Sequence, residues 1–227
     1  NYGDQLRGDV ITDAEDNVYI SSVTSSLDFP TVNGLDNTYN GGPTDALVAK
    51  LNPDLTGLVW STLIGGAGAE ASLTIKFDKA GNILVGGGTT SVDFPVTAGA
   101  YQPTIGGDAD GWIAKINSSG DAIIGSTFTG TSAYDQVYFL DLNEDDEVYL
   151  YGQTSGNFPV TAGVYSNANS GQFIQKFDAT LSTLIFSTVI GSGRGIPDIS
   201  PTAFLVNECN NLYLAGWGGI VNIQSLH

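Results

Sequence analysis

The chain has 227 residues, 30 of them glycine, and a formal net charge of −17 with only seven lysines and arginines. So few cations cannot line a phosphate backbone or an anionic membrane surface, so no nucleic-acid partner is expected. The single cysteine, Cys209, and the single histidine, His227, exclude an internal disulfide framework, a Cys-based zinc cage and any Ser–His, Cys–His or multi-histidine site within the chain.

No apolar run approaches the roughly 20 residues of a bilayer span, so no membrane insertion is expected. The lack of methionine and of a leader reads as a segment of a longer protein.

In chain order, "DVITD" (9–13) and "NVYISS" (17–22) alternate apolar and polar residues as half-buried strands do. A loop containing "SLDFP" follows, then "DALVAKLN" (45–52) and "LVWSTLIGG" (58–66). The same grammar returns as "SLTIKFD" (72–78), "ILVGGGT" (83–89), "DGWIAKIN" (110–117) and "AIIGSTFTG" (122–130). A third copy has "VYFLDL", "EVYLYG", "QFIQKFD" and "LIFSTVIG", and a fourth begins with "PTAFLVN" (201–207) and "NLYLAGWGG" (211–219). Anchors keep the step: Tyr19, Leu84, Tyr149 and Tyr213 are 65, 65 and 64 residues apart, while Lys50, Lys115 and Lys176 are 65 and 61 apart. The shorter step is absorbed by a shorter loop in the third copy.

Four antiparallel strands per unit, with no helical stretch between units, predict an all-β β-propeller of four-stranded blades. A solenoid coil has a shorter period, helical repeats show a 3.6-residue pattern, and a sandwich of unrelated strands does not repeat its loops. The expected division is blade 1 over 1–71, blade 2 over 72–136, blade 3 over 137–198 and a partial blade 4 over 199–227. Propellers close with about 4–8 blades. Three and a half leave an open edge, so further blades are expected in the parent chain.

The repeated loop motif comprises Asp28, Phe29 and Pro30, then Asp93, Phe94 and Pro95, then Asn157, Phe158 and Pro159. Proline stiffens the exit from the second strand, and the phenylalanine is expected to pin the loop to its sheet. Asp93 cannot close an Asx-turn, because its i+2 residue is Pro95 and has no N–H. Its carboxylate must accept from a later amide or a neighbouring loop. The Asp-to-Asn exchange at 157 keeps an acceptor and drops the charge, which favours structural hydrogen bonding over metal ligation.

Asp78, Gly81, Asn82, Asp93, Phe94, Pro95, Gly99, Tyr101, Gln102, Ala114 and Lys115 together resemble the SBBP family of bacterial β-propeller repeats, and the resemblance covers essentially the whole chain. The last segment, 199–219, is similar to blades of very large Bacteroidetes surface proteins of the gliding-motility or adhesin type, with type IX secretion. The resemblance implies an extracellular or cell-surface protein exported across the outer membrane. It further implies a partner that is another protein or a glycan, possible contact with secretion-system components, and no catalytic residues.

The candidate metal site is Asp141, Asn143 and Asp145 in "DLNEDDE", which begin like a Ca²⁺ loop. Against it, Asp146 stands where glycine is expected and Gly152 where the twelfth-position Glu would be. The turns at 13–17 and 78–82 read as two residues shorter, and a solvated acidic turn is the competing reading. No cofactor is otherwise expected. "RGD" at 7–9 reads as repeat grammar rather than as an integrin ligand, and the sequon at Asn117 marks an exposed turn. Trp60, Trp112 and Trp217 read as core residues, with sugar stacking as the alternative. Paired carboxylates are numerous, but none recurs with flanking residues that raise a pKa for acid catalysis, and the sialidase-type Asp box is absent. The expected function is a non-enzymatic adhesion or interaction scaffold. The alternative is a carbohydrate-active propeller whose catalytic residues lie outside this segment.

Overall fold

Period-2 apolar runs punctuated by short polar turns give fourteen antiparallel strands and no helix across residues 8–218, the part described by the computed structural model. Arg7 of the RGD string and His227 lie outside the described residues. The first sheet takes β1 (Asp9–Thr12), β2 (Val18–Thr24), β3 (Asp45–Leu51) and β4 (Leu58–Ile64) in that order. The second takes β5 (Glu70–Phe77), β6 (Ile83–Thr89), β7 (Asp110–Ile116) and β8 (Ile123–Thr129). The third takes β9 (Asp135–Leu142), β10 (Val148–Thr154), β11 (Gln172–Phe177) and β12 (Leu184–Ile190). A two-stranded sheet, β13 (Ile199–Val206) with β14 (Leu212–Gly218), follows.

The sheets pack in sequence, so the middle ones are covered on both faces. Ile83 and Val85 of β6 join Tyr19, Val48 and Trp60 in one core, whereas Leu84 between them joins Val137, Leu150 and Phe173 in the next. Tyr149 and Tyr151 belong to a third core with Phe204 and Val206. This corrects the half-buried reading of 72–78: Thr74, on the supposedly solvated face, is fully buried. A buried hydroxyl needs a partner, and that of Thr74 accepts from the amide of Leu140 at 3.2 Å.

That bond is one of a series joining successive first strands. Asp9 Oδ2 accepts from Ile75 N at 3.1 Å, and Asp141 Oδ2 accepts from Val206 N at 2.8 Å. β1, β5, β9 and β13 accordingly lie beside one another in order.

Each later first strand also carries a one-residue bulge at an equivalent place. Residues 73, 138 and 202 are skipped when β5, β9 and β13 pair with their neighbours. A second recurrent bulge skips Val59, Ile124 and Ile185 in the fourth strands, and it turns those three side chains outward at 42 %, 51 % and 40 % exposure. The repeat therefore extends to its irregularities.

Candidate functional site

The turn between the first two strands of each unit is built on one Asx residue. Asp13 Oδ1 accepts from Asn17 N at 2.9 Å, Asp78 Oδ1 from Asn82 N at 2.8 Å, Asn143 Oδ1 from Glu147 N at 3.0 Å, and Asn207 Oδ1 from Asn211 N at 2.8 Å. The fourth residue of each turn has positive φ: 62° at Asp16, 78° at Gly81, 57° at Asp146 and 59° at Asn210. All four turns thus have five residues. The expectation that 13–17 and 78–82 are shorter than 141–147 is incorrect, because β9 continues through Leu142 and takes Asp141 with it.

This places the residues of the candidate Ca²⁺ loop. Asp141 caps Leu142 N at 3.0 Å and bonds Val206 N of the next sheet, while Asn143 Oδ1 accepts from Asp145 N and Glu147 N, both at 3.0 Å. Asp145 is exposed on the turn. The acceptors of Asp141 and Asn143 are used on backbone amides. Among the described residues no group of three Asp, Glu, His or Cys is placed to hold a metal ion.

The periodic lysines answer these turns. Lys50 reaches Asp13 at 3.3 Å, Lys115 reaches Asp78 at 2.7 Å, and Lys176 reaches Glu147. In the third unit the amide stands at the head of the turn and the carboxylate at its end, the reverse of Asp78 and Asn82. Lys50 and Lys176 also lie 4.9 Å and 5.1 Å from the ring centres of Tyr19 and Tyr149.

At the other end of the sheets, each long loop runs along the outer edge of its own fourth strand. Ser61 N donates to Val32 O at 2.8 Å, Phe128 N to Gln102 O at 3.1 Å, and Asn167 N to Val189 O at 3.0 Å. The recurring Ser–Thr pairs fasten this cover: Ser61 Oγ donates to Pro30 O at 2.7 Å, Ser187 Oγ to Pro159 O at 2.6 Å, and Thr127 Oγ1 accepts from Gln102 N at 2.9 Å. An edge strand that would otherwise offer free N–H and C=O groups is thereby paired.

The motif residues take distinct parts in this cover. Phe94 is buried, its ring 4.8 Å from Trp112 and 5.8 Å from Phe128. Phe158 stacks on Phe173 at 4.0 Å, whereas Phe29 is only half-buried. Pro30, Pro95 and Pro159 are exposed. Asp93 Oδ1 accepts from Ala67 N at 2.9 Å, an amide of the link between the first two sheets, and Asp28 Oδ1 accepts from Ser26 Oγ at 2.6 Å. Asn157 is exposed in the corresponding place.

Sequence reasoning missed the chemically most unusual group, a buried carboxyl pair at each of the first two junctions between sheets. Asp45, at the start of β3, stands beside Glu70 at the start of β5, and Asp110 and Asp135 repeat the arrangement at β7 and β9. The relative exposure of these four residues is 0 %, 1 %, 0 % and 0 %. Asp110 Oδ2 accepts from Gln102 Nε2 at 2.6 Å and Gly106 N at 2.8 Å, and Asp135 Oδ2 from Thr131 N and Thr131 Oγ1. One oxygen each of Asp45, Asp110 and Asp135 is buried without a partner.

Burial pushes all four carboxyls up, Asp110 to about 6 with the help of the Asp135 charge. Recurrent carboxyls with raised pKa therefore exist, contrary to the sequence reading. The cause is burial between sheets, to which flanking residues give no clue. The glycine that recurs just after the fourth strand, Gly65 and Gly130, makes room for them: a Cβ on Gly130 would lie 2.6 Å from Asp110 Oδ1.

This shift predicts a pH dependence. A carboxyl raised in the folded state contributes stability below its ordinary pKa of 3.8, and the contribution is lost as pH rises through about 6. The difference corresponds to about 3 kcal/mol at most. Urea unfolding at pH 4 and pH 7 should show Asp110→Asn flattening the decline between those values. An unchanged slope would mean that Asp110 titrates normally.

Of the tryptophans, Trp112 is buried with Nε1 donating to Gly88 O at 3.0 Å, Trp60 is buried, and Trp217 on β14 is 56 % exposed. The amide of Asn117 is engaged within its own turn by Asp121 at 2.6 Å. No family model matches the chain, and no curated protein matches it either.

Proposed function

We propose that this chain is part of a β-propeller of the SBBP type, exported to the bacterial surface and serving as a non-enzymatic scaffold for adhesion or for protein or glycan binding. The observation that carries the reading is the side-by-side succession of β1, β5, β9 and β13, bonded sheet to sheet through Asp9, Thr74 and Asp141. First strands gathered in this way are what blades arranged around a common axis require.

The binding surface is sought where units differ. A groove of about 520 Å³ between the first and second units is lined by Leu35, Asp36, Asp93, Val96, Asp121 and Ile123, carboxylates and apolar groups together. That mixture suits a hydroxyl-bearing or basic partner. The raised carboxyls do not favour the hydrolase reading. A glycosidase acid must touch the glycosidic oxygen, and Asp110 and Asp135 are fully buried.

A glycan array probed with the full chain, followed by a reducing-end assay on each retained glycan, tests the proposal. Retention without release of reducing ends is expected. Release that disappears on a single Asp or Glu substitution would replace this reading with the carbohydrate-active one.

A further inference from the structure

The three junctions between sheets differ in charge: the first and second each hold two buried carboxyls, and the third holds the Arg194–Asp198 pair, whose side chains are 44 % and 13 % exposed. At the third, Gly171 stands in the register position of Asp45 and Asp110, Gln172 Oε1 accepts from Asp198 N at 3.2 Å, and the link between β12 and β13 brings in Arg194, which pairs with Asp198 at 2.5 Å. That guanidinium and the Ser192 amide and hydroxyl hold Asp198 down to about 2. At the second junction, the Gln102 amide donates to Asp110.

At the first junction neither device is present. Asp36 occupies the place of Gln102: its amide meets Thr62 Oγ1 at 2.8 Å and its carbonyl accepts from Leu63 N at 3.1 Å, as Gln102 does with Thr127 and Phe128. A like charge thus stands where a donor stood. Among the described residues, none of the four ion pairs includes Asp36, Asp45 or Glu70.

Two oxygens face a common point there. A Cβ built on Gly65 would lie 2.5 Å from Glu70 Oε2 and 3.0 Å from Asp45 Oδ1, so the two oxygens converge beside a residue that has no side chain. Asp45 Oδ1 is buried and has no partner, while Asp45 Oδ2 accepts from Asn40 N at 2.8 Å. Glu70 Oε1 accepts from Thr89 Oγ1 at 2.6 Å and Ser91 Oγ at 2.5 Å, and its Oε2 takes only Gly66 N at 3.0 Å. Other titratable groups nearby are Asp36, whose Oδ2 accepts from Asn40 Nδ2 at 2.8 Å, Asp93, whose Oδ1 lies beside Gly66 and accepts from Ala67 N at 2.9 Å, and the Tyr39 hydroxyl, which donates to Gly42 O. Solvent approaches from two sides, since Asp36 and Gly65 line the 520 Å³ groove and Glu70 lines a 160 Å³ cavity.

The geometry points to a hard divalent cation, of the Ca²⁺ class, bound at the first junction between Asp45 Oδ1 and Glu70 Oε2, with Asp36 at its rim. Two protein carboxylates leave most of the coordination sphere to water and backbone oxygens, which sets an affinity of about 10⁻⁴–10⁻³ M.

Calorimetric titration of the full chain with CaCl₂ at constant ionic strength, together with thermal melts in CaCl₂ and in EDTA, tests this. One site is expected, with Tm rising by a few degrees at ten times Kd. Asp45→Asn and Glu70→Gln should each abolish the response, while Asp110→Asn, at the second junction, should leave it intact. If Asp45→Asn fails to fold, Asp36→Asn is read in its place: several-fold weaker binding supports the site, and unchanged binding overturns it. An absent Ca²⁺ response, an equal response to NaCl, or a response surviving in Asp45→Asn also overturns it.

Discussion

Replacing Phe94 with alanine is expected to lower stability by about 3–5 kcal/mol, the cost of removing a buried aromatic ring and leaving its cavity. The ring touches Trp112 and Phe128 and so ties the loop to the core of the second sheet. The same loop covers the outer edge of β8 through Thr97 and Gln102. Losing the anchor should therefore also expose that edge. Hydrogen exchange at the Phe128 amide, which donates to Gln102 O, should accelerate in Phe94→Ala. Phe158→Ala should behave alike in the third unit because of its stack on Phe173. Phe29→Ala should cost only about 1 kcal/mol, since its ring is only half-buried. If all three substitutions cost the same and the Phe128 amide stays protected, backbone bonds alone hold the cover, and the aromatic anchor is wrong.

The strand grammar was legible because period-2 alternation and Gly- or Asn-bearing turns act over a few residues. "SLTIKFD" and "ILVGGGT" therefore fall on β5 and β6 to within two residues. The loop motif was legible as structural for a similar reason: a proline at i+2 forbids the Asx-turn, and Asp93 does turn to a neighbouring segment, the amide of Ala67. What could not be read were consequences of stacking. Thr74 appears solvated in a single strand and is buried only because sheets pack on both of its faces. Asp45 and Glu70 are 25 residues apart in sequence and belong to different sheets, so no local pattern announces that they meet. Asp141 misled because its alternation with Asn143 and Asp145 imitates a Ca²⁺ loop, whereas strand pairing assigns it to β9.

Removing Lys115 should be the most costly single change at the turn end of the sheets. The Lys115 and Asp78 side chains are only 12 % and 2 % exposed, and the Lys115 ammonium also donates to Ala179 O of the next unit at 3.2 Å. Lys115→Ala leaves a buried carboxylate without its counter-charge, which costs about 3–5 kcal/mol. Burial alone would raise the Asp78 carboxyl, but hydrogen bonds from Lys115 and Asn82 hold it below the ordinary range. A depressed carboxyl contributes stability above its ordinary pKa and loses it on acidification, so the wild type should weaken as pH falls below about 4. Lys115→Ala should lose that dependence.

The third unit supplies a more searching comparison. There the head of the turn is Asn143, the end is Glu147, and the lysine follows the carboxylate to its new position. Asp78→Asn alone should therefore destabilise by about 3 kcal/mol, while adding Asn82→Glu should restore most of that loss by rebuilding the third unit's arrangement in the second. Unfolding free energies of the two single variants and the double define the cycle, and a coupling of about 2 kcal/mol or more is expected. Additive losses would mean that the lysine is fixed by its bond to Ala179 and by packing, and that the exchange of carboxylate and amide between units is incidental. Recovery would mean that the repeat preserves one lysine–carboxylate pair per turn rather than any particular residue at either of its positions.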